Sequence, residues 1–201
     1  MIIDQHRFGG GIPNDLDAYY PFNGNANDES GNGHDGNVNG ATLISDRHGN
    51  INSAYSFDGI NDNIIIPDLV LKQSAQTLCF WVKWRAGQNL IRGIGGGANR
   101  YYINNTGVTR GTNVGYPMTL RTNEWDFVCV YWDDGSLLKI YVNDVNIHDS
   151  TYTKVVGGGD SSMTLAAFQG GTSGFANCDM DDIRSYLREL TDQERTALYN
   201  E

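Results

Sequence analysis

Apolar and polar residues alternate in short runs along most of the chain, and this pattern predicts β-strands rather than helices. The clearest runs are residues 77–84 (TLCFWVKW) and 124–132 (EWDFVCVYW). The second run is apolar on both alternating faces, which predicts a central strand that is covered on both sides. A hairpin is predicted around Asn143-Asp144, and shorter strands at residues 18–22, 53–57, 63–66, 163–168 and 180–186. Turn residues recur about every ten positions, as is typical of a sandwich or barrel.

One helix is predicted near the C-terminus. Thr191 and Glu194 have the spacing of a capping box, in which each side chain bonds the other residue's backbone N–H. Leu190, Leu198 and Tyr199 give the helix an apolar stripe. No βαβ unit is visible, which disfavours a parallel α/β sheet. The pattern therefore predicts an all-β, two-sheet antiparallel sandwich over residues 15–201 with a short C-terminal helix.

Residues 1–14 are predicted to form an N-terminal arm. The glycine triplet at positions 9–11 is a flexible joint, and it separates Ile2, Ile3 and Phe8 from the body of the chain. Two interpretations stay open: a disordered terminus, or a docking peptide for another protein. The segment has no apolar core of a signal peptide.

Composition and charge narrow the classes of function. The net charge is -10 and the sequence pI is about 4.7. Because an acidic surface repels phosphate backbones, nucleic acid is excluded as a partner. No segment approaches the ~20 apolar residues that span a bilayer, so no membrane insertion is expected. Cys79, Cys129 and Cys178 are odd in number and widely spaced, which predicts buried thiols in a reducing compartment and no disulfide framework.

Several segments, in this order, resemble a known family. They are AYYPFNGNANDESGNGHDG, SFDGIND, TLCFWVKW, NEWDFVCVYWDDGSLLKIYVND and MDDIRSYLRELTDQERTALY. Together they resemble laminin G-like, concanavalin A-like jelly-roll domains from about residue 15 to residue 199. The resemblance implies a jelly-roll sandwich. It does not name a ligand, because this fold carries lectins, carbohydrate-binding modules, glycosidases, lyases and structural domains.

The resemblance also bears on catalysis and on calcium. Glycosidases of this fold place two carboxylates at positions i and i+4 of one strand, and here Glu124 is followed by Val128. The chain is therefore predicted not to be an enzyme. Many such domains hold one structural Ca²⁺, and the matching positions are the Asp181 carboxylate, the Gly59 carbonyl and a carbonyl of Phe22 or Pro21. Asp182 is the adjacent alternative, and solvated charges on both Asp residues are the other interpretation.

The loop-rich middle of the chain holds the candidate ligand surface. Residues 85–123 carry five arginines and no carboxylate, a local basic excess in an acidic chain. It is suited to an acidic glycan or an acidic partner surface, or it serves only solubility. Trp81, in the strand before it, is expected in the core. The candidate ligand residues are Arg85, Arg92, Arg100, Tyr101, Tyr102 and Arg110.

Two functional classes follow from these observations. The first is a non-catalytic module that binds a glycan or a host surface polysaccharide, or acts as a cell-surface adhesive. The second is a structural decoration protein that residues 1–14 anchor to a capsid or tail protein. The family acts outside cells and this chain shows no signal peptide. We therefore expect a phage virion surface, or a module cut from a larger secreted protein.

Overall fold

The computed structural model describes residues 11–67, 69, 75–87, 89–94, 100–110, 114–133, 137–151, 162–168 and 171–201. These residues form fifteen strands and one helix. The elements are β1 Ala18–Tyr20, β2 Asn37–Asn39, β3 Thr42–Ile44, β4 Ala54–Asp58, β5 Asn63–Pro67, β6 Gln76–Ala86, β7 Asn89–Ile94, β8 Arg100–Asn104, β9 Gly107–Arg110, β10 Val114–Pro117, β11 Trp125–Trp132, β12 Leu137–Val142, β13 Val145–Thr151, β14 Ser162–Leu165, β15 Asn177–Tyr186 and α1 Asp192–Tyr199.

The strands form two antiparallel sheets. The eight-stranded sheet has the order β13-β12-β11-β6-β15-β4-β3, with β1 also paired to β15. The seven-stranded sheet has the order β10-β9-β8-β7-β14-β5-β2. This is a two-sheet jelly-roll sandwich with a short C-terminal helix, and it confirms the predicted fold class. In the part of the chain that the structure describes, no helix is long and apolar enough to cross a membrane.

The main core lies between the two sheets. Alternation along β6 turns Leu78, Phe80 and Val82 inward, and Val128 and Val130 of β11 meet them from the next strand. All five are fully buried. Burying a side chain of this size contributes roughly 1.5–3 kcal/mol, so these two central strands hold the sandwich together.

A second apolar cluster lies on the outer face of the eight-stranded sheet, beneath α1. Phe127 and Cys129 of β11 contact this cluster, and Leu190 and Leu198 cover it from the helix side. Strand β11 is therefore buried on both faces, as its sequence predicts. Trp81 also lies here, partly buried against this outer cluster, so its predicted place in the core is wrong.

The helix begins where the sequence predicts. The Thr191 hydroxyl accepts a hydrogen bond from the Glu194 backbone N–H, and the Glu194 carboxylate accepts one from the Thr191 N–H, which completes the capping box. Arg195 fastens the helix to the sheet. Its Nε donates to Asp144 at 2.7 Å, and its guanidinium lies 3.7 Å from the centre of the Tyr141 ring. Asp144 and Asn143 form the predicted hairpin turn, both with positive φ.

The cysteines contradict the sequence prediction. Cys79 of β6 and Cys129 of β11 are directly opposite each other in the strand register and form a disulfide, whereas Cys178 is free and buried. The prediction of three thiols was wrong because strand register, and not spacing along the chain, decides which cysteines meet. The inference of a reducing compartment rested on that prediction and therefore loses its basis.

The middle of the chain is more regular than predicted. Strands β7 to β10 follow one another across the seven-stranded sheet, each antiparallel to the next. Their glycine-rich, polar sequence gives little local indication of strands. The strands form nevertheless, because pairing with neighbouring strands supplies order that local propensity does not.

Candidate functional site

An irregularity in β15 creates the candidate site. Up to Met180, the strand pairs with β4 on one side, and from Ile183 onward it pairs with β1 on that same side. Between these two pairings, the register with β6 shifts, and Asp182 adopts a positive φ of 53°. A bulge of this kind re-aims side chains and interrupts pairing. It places Asp181 and Asp182 side by side where β4 gives way to β1.

Arg47 reaches this bulge from the connection between β3 and β4. Its Nη1 lies 2.5 Å from Asp181 Oδ2, and its Nη2 lies 3.2 Å from Asp182 Oδ2. The network continues through Arg184, which pairs with Asp182 at 2.9 Å and with Glu201 at 2.6 Å. The side chains of Arg47, Asp181 and Asp182 keep no more than 9 % of their surface exposed. The site is therefore a buried chain of alternating charges.

The loop that carries Arg47 has its own local support. The Asp46 carboxylate accepts hydrogen bonds from the backbone N–H groups of His48 and Asn50, both at 2.8 Å. Partial burial opposes ionisation of Asp46, but these bonds and the Asn50 side chain outweigh it and lower its pKa. Asp46 is thus charged at neutral pH, and its hydrogen bonds fix the loop that presents Arg47.

Burial dominates the titration of the two bulge carboxyls. Loss of hydration raises the pKa of Asp181 to about 6, although the adjacent Arg47 guanidinium pulls that pKa downward. Burial likewise raises the pKa of Asp182, against the opposing charges of Arg184 and Arg47. The site therefore holds a carboxyl that titrates close to neutral pH.

Aromatic side chains form the neighbouring wall of the site. The Arg47 guanidinium lies 4.9 Å from the centre of the Trp81 ring, and Tyr199 from the end of α1 stacks on Trp81 at 5.8 Å between ring centroids, tilted by only 12°. A cleft of about 270 Å³ runs along these rings, and one of about 220 Å³ adjoins it; Arg47, His48 and Glu201 line both. We call the two together the outer-sheet cleft. Its other lining residues are Trp81, Trp125, Tyr199 and Asn200 in the first part, and Tyr19, Pro21, Asn23, Asp46, Asn50, Asp181 and Asp182 in the second.

This combination of groups suits a polar ligand that also has an apolar face. Aromatic rings offer large, rigid contact surfaces, whereas carboxylates and amides fix orientation through hydrogen bonds. The sequence analysis found Asp181, Asp182 and Pro21 of this site. It missed Arg47, Trp125, Tyr199 and Glu201, since nothing local in the sequence marks them as neighbours of the bulge.

The predicted calcium ligands are only partly brought together. Pro21, one of the two alternative carbonyl donors, lines the second part of the outer-sheet cleft with Asp181. Gly59 lies in the turn after β4 and packs beside Asn177, four residues along β15 from Asp181. The Phe22 side chain is buried edge-on against Tyr55, and the Phe22 carbonyl accepts a hydrogen bond from the Gly24 N–H.

The Arg47 guanidinium already supplies a positive charge beside Asp181, which opposes a second cation at that carboxylate. Among the residues described, no three His, Cys, Asp or Glu side chains are grouped so as to hold a metal. Calcium binding stays a prediction.

Two of the predicted ligand arginines lie in different sheets. Arg85 lies at the end of β6 in the eight-stranded sheet, where it pairs with Asp179. Arg92 lies in β7 of the other sheet, buried, with its guanidinium 4.3 Å from the centre of the Phe168 ring. A ligand role for either arginine stays a prediction.

The other predicted ligand positions lie near Arg92 in the strand register. Arg92 is opposite Tyr102, Tyr101 is opposite Arg110, and Arg100 begins β8. The side chains of these four residues lie outside the described part. The basic excess of the segment is also compensated in part, because Arg121 pairs with Glu124 and Asp126 beyond the segment's end.

Two further predictions concern catalysis and the arm. Val128 is fully buried in the core, and Glu124 is exposed and paired with Arg121, so this strand carries no pair of catalytic carboxylates. Within the arm, Pro13 is buried and its carbonyl accepts a hydrogen bond from the Tyr186 hydroxyl at 3.4 Å. The predicted docking residues Ile2, Ile3 and Phe8 lie outside the described residues.

Comparisons with known proteins agree with this architecture. The laminin G-like family model described as the concanavalin A-like lectin/glucanases superfamily matches residues 58–194. No curated protein sequence matches the chain. Among solved structures, domain 4 of AbnA, a GH43 extracellular arabinanase from Geobacillus stearothermophilus in complex with arabinotriose, is similar at 21% identity and a TM-score of 0.74. The match covers 92% of this chain and 98% of that one.

Two other structures share the fold over part of their length. The botulinum neurotoxin serotype D binding domain has 16% identity and a TM-score of 0.70, with 94% of this chain and 52% of that chain covered. Trypanosoma rangeli sialidase in complex with sialic acid has 16% identity and a TM-score of 0.70, with 93% and 33% covered. The chain thus spans about half of the toxin binding domain and a third of the sialidase. At these identities, the likeness concerns the fold alone.

Proposed function

The chain belongs to the concanavalin A-like lectin/glucanase superfamily, and from this premise we propose that it is a non-catalytic glycan-binding module. The observation that carries the proposal is the outer-sheet cleft, in which aromatic rings and hydrogen-bonding side chains line one continuous depression. A sugar ring has apolar C–H faces and a polar rim, and this cleft offers a surface for each. The arabinanase domain that matches nearly end to end was solved with arabinotriose, which supports the same class of ligand.

The residues of the cleft have distinct roles in this proposal. Trp125 and Tyr199 are half-buried rings that line its first part and provide the stacking surface. Glu201, with its side chain 34% exposed, accepts hydrogen bonds from sugar hydroxyls. Arg47 acts as a positioning residue, because its two Nη groups hold Asp181 and Asp182 in place.

A catalytic role is less well supported than binding. A glycosidase needs an acid and a second carboxylate that serves as nucleophile or base. Asp181 has the raised pKa of an acid, but its Oδ2 is bound to Arg47 and both of its neighbouring carboxylates are engaged by Arg184. Release of reducing ends above the blank from any polysaccharide in a substrate panel would overturn the non-catalytic assignment.

The binding function is tested on a glycan array, with hits measured by calorimetry. Trp125→Leu keeps apolar bulk and removes the ring, so we expect at least about ten-fold weaker binding, as found when an aromatic anchor is truncated. Ile60→Ala, at an exposed position in the β4–β5 turn, is the control and should bind like the parent. Thermal unfolding verifies that both variants fold. Unchanged affinity in Trp125→Leu would remove the cleft from the proposal, and an array without hits would remove the function.

We further propose that the module acts outside the cell, as a domain of a larger secreted protein or on a virion surface. The first setting is supported by the arabinanase, since the chain corresponds in length to one domain of that extracellular enzyme. The virion setting, with a capsid or tail partner bound through Ile2, Ile3 and Phe8, rests on the sequence of the arm alone. Deletion of residues 1–10, which keeps the buried Pro13, separates the two roles. It should leave glycan binding intact and abolish any assembly that depends on the arm.

A further inference from the structure

The charges that line the outer-sheet cleft are unequal. Four carboxylates surround it, those of Asp46, Asp181, Asp182 and Glu201. Only two guanidinium groups, of Arg47 and Arg184, are paired with them. Counted over these six side chains, this arrangement leaves an excess of two negative charges around the cleft. The potential of the cleft therefore opposes the approach of an anionic ligand.

The strongest hydrogen-bond donors of the cleft are already used. Arg47 directs Nη1 to Asp181 and Nη2 to Asp182. Arg184 is engaged by Asp182, by Glu201 and by the Tyr19 hydroxyl, which accepts from it at 3.1 Å. An arginine recognises a carboxylate or sulfate most strongly when two N–H groups of its guanidinium fork are free. Neither arginine offers such a fork.

Further donors in this region make no hydrogen bond. Among the described residues, the Nε of Arg47, the Nε1 of Trp81 and the Nη1 of Arg184 are buried without one, although the Nη1 of Arg184 lies 2.6 Å from Glu201 in an ion pair. The Arg47 side chain is more than nine-tenths buried and lines both parts of the cleft. A buried N–H group without an acceptor is costly and usually indicates a missing ligand or water oxygen. A hydroxyl or ring oxygen is an acceptor of this kind that adds no negative charge.

From this geometry, we infer that the outer-sheet cleft selects uncharged, hydroxyl-rich glycans and rejects sugars that carry a carboxylate or a sulfate. The inference rests on the proposed function and names the ligand class of the same site. It replaces the acidic glycan that the local arginine excess suggests. Sugar hydroxyls donate to the carboxylates of the cleft, whereas an acidic sugar meets both charge repulsion and a lack of free cationic donors.

The test compares sugars that differ only in charge. The probes are immobilised glucose-, galactose- and mannose-based oligosaccharides, each in a neutral, a uronic acid and an amino form, assayed at low ionic strength. For the sugar series that binds best, we expect the uronic form to bind at least about ten-fold more weakly than the neutral form. Repulsion between its carboxylate and the net negative charge of the cleft is large enough for about a ten-fold change in affinity. The amino form should bind at least as well as the neutral form.

A charge variant checks that the cleft causes this selectivity. Glu201→Gln removes one of the four carboxylate charges, so the ratio of the affinity for the neutral sugar to that for the uronic sugar should fall by about three-fold or more. In the parent protein, added salt should lower the same ratio. Glu189→Gln, at an exposed carboxylate paired with Lys139, is the control and should leave the ratio unchanged.

The outcomes distinguish the inference from the function on which it rests. Equal or tighter binding of the uronic forms overturns the inference and leaves the glycan-binding function standing. A ratio that Glu201→Gln does not alter also overturns it, because the selectivity then arises elsewhere. The absence of binding to every sugar overturns the proposed function, and the inference falls with it.

Discussion

Replacement of Arg47 by methionine tests the charge network that forms the outer-sheet cleft. Arg47→Met keeps most of the side chain's apolar stem and removes the guanidinium that contacts Asp181 and Asp182. Removing one partner of a buried ion pair usually costs about 3–5 kcal/mol. Because Arg184 still partners Asp182, we expect the lower end, about 3 kcal/mol at pH 8.

The loss should depend on pH in a defined direction. The pKa of Asp181 is raised from its ordinary 3.8 to about 6 in the folded protein, so its contribution to stability is fully present below pH 3.8 and is lost as pH rises through 6. For the parent, this group alone should add about 1.4 kcal/mol of stability between pH 8 and pH 5. Without Arg47 the folded pKa rises further, so the variant should gain more than the parent over the same interval. The cost of the substitution therefore shrinks at pH 5.

Urea unfolding followed by tryptophan fluorescence, at pH 5 and pH 8, measures both quantities. Lys139→Met removes the cation of a partly exposed pair with Glu189 and is the control, with an expected loss below about 1 kcal/mol that changes little between the two pH values. A loss below 1 kcal/mol for Arg47→Met at pH 8, or an equal loss at both pH values, would refute the proposed electrostatics of the bulge.

Two further predictions concern the calcium hypothesis and the cysteines. Because Arg47 supplies the cation beside Asp181, neither EDTA nor added Ca²⁺ should shift the melting temperature; a rise with Ca²⁺ that EDTA reverses would restore the calcium site. Thiol titration of the unfolded, unreduced protein should detect one thiol, that of Cys178, and three after reduction. Three thiols before reduction would contradict the pairing. Since 50 residues separate Cys79 and Cys129, reduction should lower the free energy of unfolding by up to about 4 kcal/mol through chain entropy.

The sequence by itself determined the features that depend on neighbours along the chain. Runs of β-forming residues identified β6 and β11, and the apolar residues on both faces of the β11 run marked it as a strand covered on both sides. The Asn143-Asp144 turn and the Thr191 capping box were also recognisable, since their hydrogen bonds join residues only a few positions apart.

Only the tertiary structure decided which distant residues meet. Arg47 and Asp181 lie 134 positions apart, and their contact exists because a bulge interrupts β15 at the point that the β3–β4 connection reaches. The register of β6 against β11 likewise set Cys79 opposite Cys129, and the helix at the end of the chain brought Tyr199 onto Trp81. A one-residue change of the β6–β11 register would put Cys79 and Cys129 on opposite faces, and the local sequence pattern fixes the face of a strand but not its partner.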